Sequence, residues 1–320
     1  MHKTKRRLFQ FSLAVLLVYL VFCVVAGILI AEAVLHPARN RVTLAGMTEA
    51  QTSAKDDDAT LSDVSITAED GTSLKAWELR PEDATGDVVI LLHGLRGNRL
   101  EMMNYADMLV THGYSVLMPD ARAHGESGGS LATYGLIERG DVHRWFDWLV
   151  ANRNPHCIYG FGESMGAAQI LQALQAEARF CAVAAESPFS TLRESAYDRI
   201  GQRFHTGPWI GRTIFRPVVE SAYVYARLRY RIDMNQVSPE DAVAASKVPV
   251  LLIHGESDTN IPPRHSLRIA ARNDGVALWE LPNTGHSNAI DTSPRELEAK
   301  LVAWFGAHPD PLRIVEIQKR

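Results

Sequence analysis

Residues 13–31 form an apolar run interrupted only by Tyr19, and His2, Lys3, Lys5, Arg6 and Arg7 precede it. Nineteen residues at about 1.5 Å each reach roughly 28 Å, enough to cross a hydrocarbon core. The pattern predicts one transmembrane helix over residues 13–36, after a basic stretch at 1–12. That basic cluster outweighs Arg39 and Arg41 on the far side, which sets the N-terminus in the cytoplasm and the rest of the chain outside it. A cleaved signal peptide is the alternative, because Ala31-Glu32-Ala33 has the small-x-small form of a cleavage site. Residues 37–60 are polar, carry Asp56-Asp57-Asp58 and show no strong period, so they read as a tether. From residue 61 short apolar runs alternate with helix-length segments. Residues 64–67 and 73–79 predict two opening antiparallel strands. Runs at 87–92, 157–161, 181–185, 249–254 and 276–281 predict buried strands, with helices over 100–111, 137–151, 165–175, 264–273 and 294–307. Such alternation makes an α/β class with a mostly parallel sheet and helices on both faces. Between Pro188 and Val248 the alternation stops, and residues 189–247 predict a small helical cap over the site. One domain spans 61–308, and 309–320 is a polar tail.

The sharpest chemical signal is Gly162-Glu163-Ser164-Met165-Gly166, between a predicted strand and a predicted helix. A serine on such a turn stands above the sheet edge at a helix N-terminus, and the flanking glycines remove Cβ atoms that would collide with strand and helix. A serine hydroxyl needs a base, and the base an orienting acid. Downstream, the strand at 249–254 runs into Gly255-Glu256-Ser257-Asp258, and the strand at 276–281 is followed by Pro282-Asn283-Thr284-Gly285-His286. Ser164 is therefore the candidate nucleophile, His286 the general base and then acid, and Asp258 the group that orients it. Glu186, at the end of the 181–185 strand, is the rival acid. Oxyanion donors would be the backbone N–H groups of Leu95, in the turn His93-Gly94-Leu95-Arg96-Gly97-Asn98, and of Met165. His93 reads as a brace for that turn rather than as a base.

With these residues in place, the chain resembles the α/β-hydrolase superfamily. More narrowly it resembles membrane-anchored α/β-hydrolase-domain proteins related to serine aminopeptidase-like hydrolases. The resemblance rests on residues 93–98, on Asp120-Ala121-Arg122-Ala123-His124-Gly125-Glu126-Ser127, on residues 162–166, and on 254–262 with Gly285-His286. Ala123 stands where the usual pattern has glycine, which bears on the local turn geometry. The resemblance implies an α/β-hydrolase fold and serine hydrolysis of an ester, thioester or amide, without naming a substrate. A carboxylic or lipid-type ester is the first expectation, then a thioesterase or an aminopeptidase-like peptidase. A non-catalytic scaffold on a hydrolase fold is the reading from another class.

Composition narrows this little. Of 320 residues, 46% are hydrophobic and 22% charged, which suits one large core, and a net charge of −4 without a basic stripe excludes nucleic acid as a partner. Residues 193–231 interleave arginines with aromatic residues, a mixture that suits either anionic headgroups and acyl chains or a solvated cap packed on the core. The twelve histidines fall in no metal-binding spacing, so no metal or other cofactor is expected. Cys157 and Cys181 start consecutive core strands and read as small buried hydrophobes, with a disulfide as the alternative in an oxidising compartment.

Overall fold

The computed structural model of the chain describes residues 2–309. Its helices are α1 (His2–Leu35), α2 (Leu44–Asp56), α3 (Met103–Val110), α4 (Glu138–Arg153), α5 (Met165–Ala173), α6 (Leu192–Arg203), α7 (Trp209–Arg212), α8 (Arg216–Tyr230), α9 (Pro239–Ala245), α10 (Arg264–Ala270), α11 (Ala289–Thr292) and α12 (Pro294–Gly306). Its strands are β1 (Ala59–Thr67), β2 (Ser73–Pro81), β3 (Val88–Leu92), β4 (Ser115–Pro119), β5 (Ile158–Glu163), β6 (Val183–Glu186), β7 (Val250–Gly255) and β8 (Val276–Leu281). They divide into two compact units, residues 36–191 with 237–309, and residues 2–35 with 192–236.

The larger unit is one eight-stranded sheet in the order β1-β2-β4-β3-β5-β6-β7-β8. The β1–β2 and β2–β4 pairs are antiparallel and all others parallel, giving the α/β-hydrolase fold. The all-apolar strand Val-Val-Ile-Leu-Leu of β3 is buried throughout because helices cover both faces. Alternation sorts its side chains, with Val89 and Leu91 in the core on one face and Val88, Ile90 and Leu92 in that on the other. Each such side chain contributes about 1.5–3 kcal/mol by leaving water, and Phe161→Ala would cost about 3–5 kcal/mol through the cavity it leaves. From β3 the chain goes to β4 on one side and returns to β5 on the other. Pairing of Leu92 with Gly162, Glu163 with Glu186 and Glu186 with Ile253 sets the carboxyl ends of β3, β5, β6 and β7 side by side. Open sheets form their clefts at such a reversal of strand order.

Two expectations need correcting. Residues 37–60 are not a tether. The Thr43 hydroxyl accepts from the Gly46 amide at 3.1 Å and caps α2, whose Ala50 and Ala54 are buried in the core, and β1 already begins at Ala59. Cys157 and Cys181 are not free hydrophobes but a disulfide, with Cα atoms 5.9 Å apart. They fit because they stand just before the paired strands β5 and β6. Residues 192–236, within the predicted cap of 189–247, form one compact unit with α1. The predicted tail falls outside the described residues from 310 onward.

The smaller unit is built on α1 and α8. Cys23, Gly27, Ala31 and Leu35, four residues apart, are the buried stripe of α1, and Val218, Ala222 and Ala226 are buried on α8. The helices approach so closely that a Cβ on Gly27 would lie 2.7 Å from Ser221 Cβ and from the Val218 carbonyl. Small residues at this spacing are how apolar helices pack where no hydrophobic effect drives them together.

Candidate active site

Ser164 is held by strain. Its φ of 51° and ψ of −108° lie where L-residues seldom sit, at the step from β5 into α5. The turn closes only because its flanks are glycine. A Cβ on Gly162 would lie 2.4 Å from the Gly166 carbonyl carbon, and one on Gly166 would lie 2.1 Å from the Leu92 oxygen. Any larger residue at 166 would push β3 away from the elbow.

The structure brings Ser164, His286 and Asp258 together. His286 Nε2 lies 2.7 Å from Ser164 Oγ, and His286 Nδ1 lies 2.7 Å from Asp258 Oδ2. With Nδ1–H donating to the carboxylate, Nε2 keeps its lone pair for the serine proton. Asp258 Oδ1 accepts from the amides of Asn260 and Ile261, both at 2.8 Å. Burial pushes the Asp258 pKa up, but hydrogen bonds from His254 and His286 overcome it and hold the acid well below the ordinary range. It is therefore an anion wherever an imidazole base is useful. Glu186, the rival acid, is turned elsewhere and accepts from the Ala289 amide at 2.9 Å and from Tyr105 Oη at 3.0 Å.

Leu95 and Met165 sit on the turns that leave β3 and β5, and the pairing of Leu92 with Gly162 sets those turns side by side. His93 is buried, accepts from the Ala121 amide at Nε2 (3.1 Å), and donates from Nδ1 to the Gly94 carbonyl (2.7 Å). Burial, and then neighbouring His124, lower its pKa to about 3, so it is a neutral brace between the first two motifs. In the second motif Asp120 accepts from the Arg99 amide (2.8 Å), the Arg99 guanidinium (2.6 Å) and the Glu126 amide (2.7 Å). Arg122 makes a fork to Asp141 at 2.6 Å through both Nε and Nη2. Ala123 has φ of 61°, the left-handed backbone that a glycine would adopt without strain.

Two residues near the site, His254 and Glu163, were given no role from the sequence. His254 is fully buried, donates from Nε2 to the Ile261 carbonyl (2.8 Å), lies 3.4 Å from Asp258 Oδ2, and accepts at Nδ1 from Ser266 (2.7 Å). It thus clamps the turn that carries the acid, and its place four residues before Asp258 was the available signal. Glu163 is the other addition, and it forms with Glu186, the rival acid, a buried carboxyl pair bridged by Tyr105 Oη at 3.4 and 3.0 Å. Burial, then Glu186 and Glu101, raise the Glu163 pKa to about 8, and burial also raises that of Glu186. No sequence pattern announces this pair, because β5–β6 register alone creates it. Elsewhere His143, Asp147 and Glu177 have ligand atoms within 4.8 Å of one another. Arg179 already lies on both carboxylates, at 2.5 Å from Asp147, so its charge fills the place a cation would take.

A family model described as the alpha/beta hydrolase family matches residues 89–300, which hold the strained serine and both of its partners. The chain belongs to that family. It is 28% identical over 238 residues to YqkD of Bacillus subtilis, covering 73% of this chain and 75% of that protein. It is 28% identical over 185 residues to the lysophosphatidylserine lipase ABHD12 of Xenopus tropicalis, covering 55% of this chain and 44% of that one. The structure of the Pyrococcus furiosus esterase Pf2001 superposes with a TM-score of 0.66 at 25% identity, covering 86% of this chain and 100% of the esterase. Family and neighbours together support hydrolase activity.

Proposed function

We propose that this alpha/beta hydrolase is a membrane-anchored serine hydrolase that cleaves a carboxylic or lipid-type ester through an acyl-enzyme on Ser164. The observation that carries the reading is the unbroken chain Ser164 Oγ–His286–Asp258, with both links at 2.7 Å. His286 takes the serine proton as Oγ attacks the ester carbonyl. The amides of Leu95 and Met165 receive the oxyanion, and His286 then gives its proton to the departing alkoxide. Water, deprotonated by the same imidazole, releases the acid and restores Ser164. An esterase and a lipase among the similar proteins favour esters over amides.

Helix α1 would be the anchor. It is apolar over a length that spans a bilayer. Retention rather than cleavage is favoured because Ala31 and Leu35 are buried and Glu32 accepts from Tyr225 and Tyr230. The flanking charges would hold the catalytic unit outside the cytoplasm, and the Cys157–Cys181 disulfide agrees with an oxidising compartment.

Steady-state hydrolysis of a p-nitrophenyl ester tests the site. Ser164→Ala and His286→Ala should each lower kcat by roughly 10³-fold or more, and Asp258→Asn by at least about 10²-fold. Glu186→Gln damaging the rate more than Asp258→Asn would overturn the choice of acid.

A further inference from the structure

Within the smaller unit, α8 runs parallel to α1 in a register fixed at three levels. Tyr19 donates its hydroxyl to the Ile214 carbonyl, Gly27 packs on Val218 and Ser221, and Glu32 accepts from Tyr225 at 2.5 Å and Tyr230 at 2.6 Å. Thirteen residues of helix separate Tyr19 from Glu32, or about 20 Å, more than half of a hydrocarbon core of about 30 Å. Glu32 is the first charged residue after the apolar run. Whatever stands beside Tyr19 therefore stands at membrane depth, provided that α1 spans the bilayer as proposed above.

We propose that residues 204–228 enter the bilayer from its non-cytoplasmic side alongside α1, so that the partner of this surface is the acyl chains of the bilayer. The segment is built for that solvent. Phe204, Trp209, Ile214, Val224 and Leu228 are between 49% and 79% exposed, a density of bare large side chains that water does not favour. An open groove of about 610 Å³ runs between the two helices, with Val24 and Ile28 of α1 facing Val224 and Leu228 of α8. Charges in the same stretch are matched inside the unit, Arg212 with Glu194, and Arg193 and Arg216 with Glu220, which offsets much of the cost of leaving water. Arg227 and Arg229 lie near the Glu32 level, where headgroup phosphates would meet them. The ester reading gains a substrate class from this: an ester that resides in the membrane.

Photocrosslinking of the full-length protein in phosphatidylcholine–phosphatidylglycerol proteoliposomes tests the inference. Benzoylphenylalanine is placed singly at Leu17, Trp209, Ile214, Leu228 or the exposed Lys247. Fluorophosphonate labelling of each variant shows that it is folded. Lipid adducts at 209, 214 and 228 should exceed those at 247 by about tenfold and approach those at 17. Adducts at 17 with none above the 247 level at 209, 214 and 228 would overturn the proposal and leave the anchor standing. Absence of adducts at 17 would overturn the anchor itself, and the proposal with it.

Discussion

The two units of this protein place charge and apolar surface in opposite ways. In the sheet unit Arg99, Asp120, Arg122 and Asp141 are buried and paired, while the large apolar side chains fill two cores. The unit of α1 with residues 192–236 buries small residues between its helices and leaves phenylalanine, tryptophan, leucine and isoleucine outside. A site that must hold an imidazole within 2.7 Å of both neighbours needs fixed dipoles and pinned loops, which the buried ion pairs supply. A surface that meets lipid needs the reverse arrangement. One chain thus carries two patterns of burial, and the second is the one that the proposed contact with lipid requires.

Substitutions aimed at one unit should spare the other. The largest expected effect on stability is in the sheet unit. Cys157→Ser with Cys181→Ser removes a bridge closing 24 residues of sequence separation and should cost about 3 kcal/mol in chemical denaturation. A denaturation midpoint that did not move on reduction would mean that the bridge does not constrain the unfolded chain. In the other unit, Gly27→Leu forces side-chain atoms against the α8 backbone and should cost about 1–3 kcal/mol of local packing. Limited proteolysis between residues 204 and 215 should then accelerate, while hydrolysis of a water-soluble ester stays within about threefold of wild type. A rate that fell as proteolysis accelerated would show that the two units are not separable in this way.

Much of this organisation was legible in the sequence, because the decisive signals are local. The elbow is a pentapeptide between a strand pattern and a helix pattern, and Asp258 and His286 each follow an apolar run, so chain order named the three side chains that meet. What escaped depends on partners far away in sequence. Helix α2 buries only Gly46, Ala50 and Ala54, so it shows no apolar stripe, and its place on the sheet unit was invisible. The disulfide needed the β5–β6 register, and the union of α1 with α8 needed small residues to match across nearly two hundred positions. Membrane-like patterning was evident, but not that a second segment shared it.

A smaller effect concerns the buried carboxyl pair under the elbow. Glu163 faces Tyr105, Glu186 and the Gly94 amide, with Glu101 nearby, and its pKa rises from 4.5 to about 8. The fold favours its neutral form, so this contribution is complete below pH 4.5 and is lost as pH climbs through about 8. The wild-type Tm should fall from about pH 6 to about pH 9, and Glu163→Gln, neutral throughout, should fall less. Parallel curves for the two proteins would remove Glu163 from the account. The smallest effect is at Ala123. With φ of 61°, Ala123→Gly relieves left-handed strain of about 1 kcal/mol and gives part of it back as backbone entropy, so a gain of about 0.5 kcal/mol or less is expected.

The central claim is that Ser164 is the residue acylated during turnover. Intact-protein and peptide mass spectrometry after treatment with a fluorophosphonate tests it without knowledge of the natural substrate. One adduct should appear on the peptide containing Ser164, vanish in Ser164→Ala, and form much more slowly in His286→Ala and Asp258→Asn than in Glu186→Gln. An adduct on another serine, or labelling that Ser164→Ala leaves unchanged, would contradict the account.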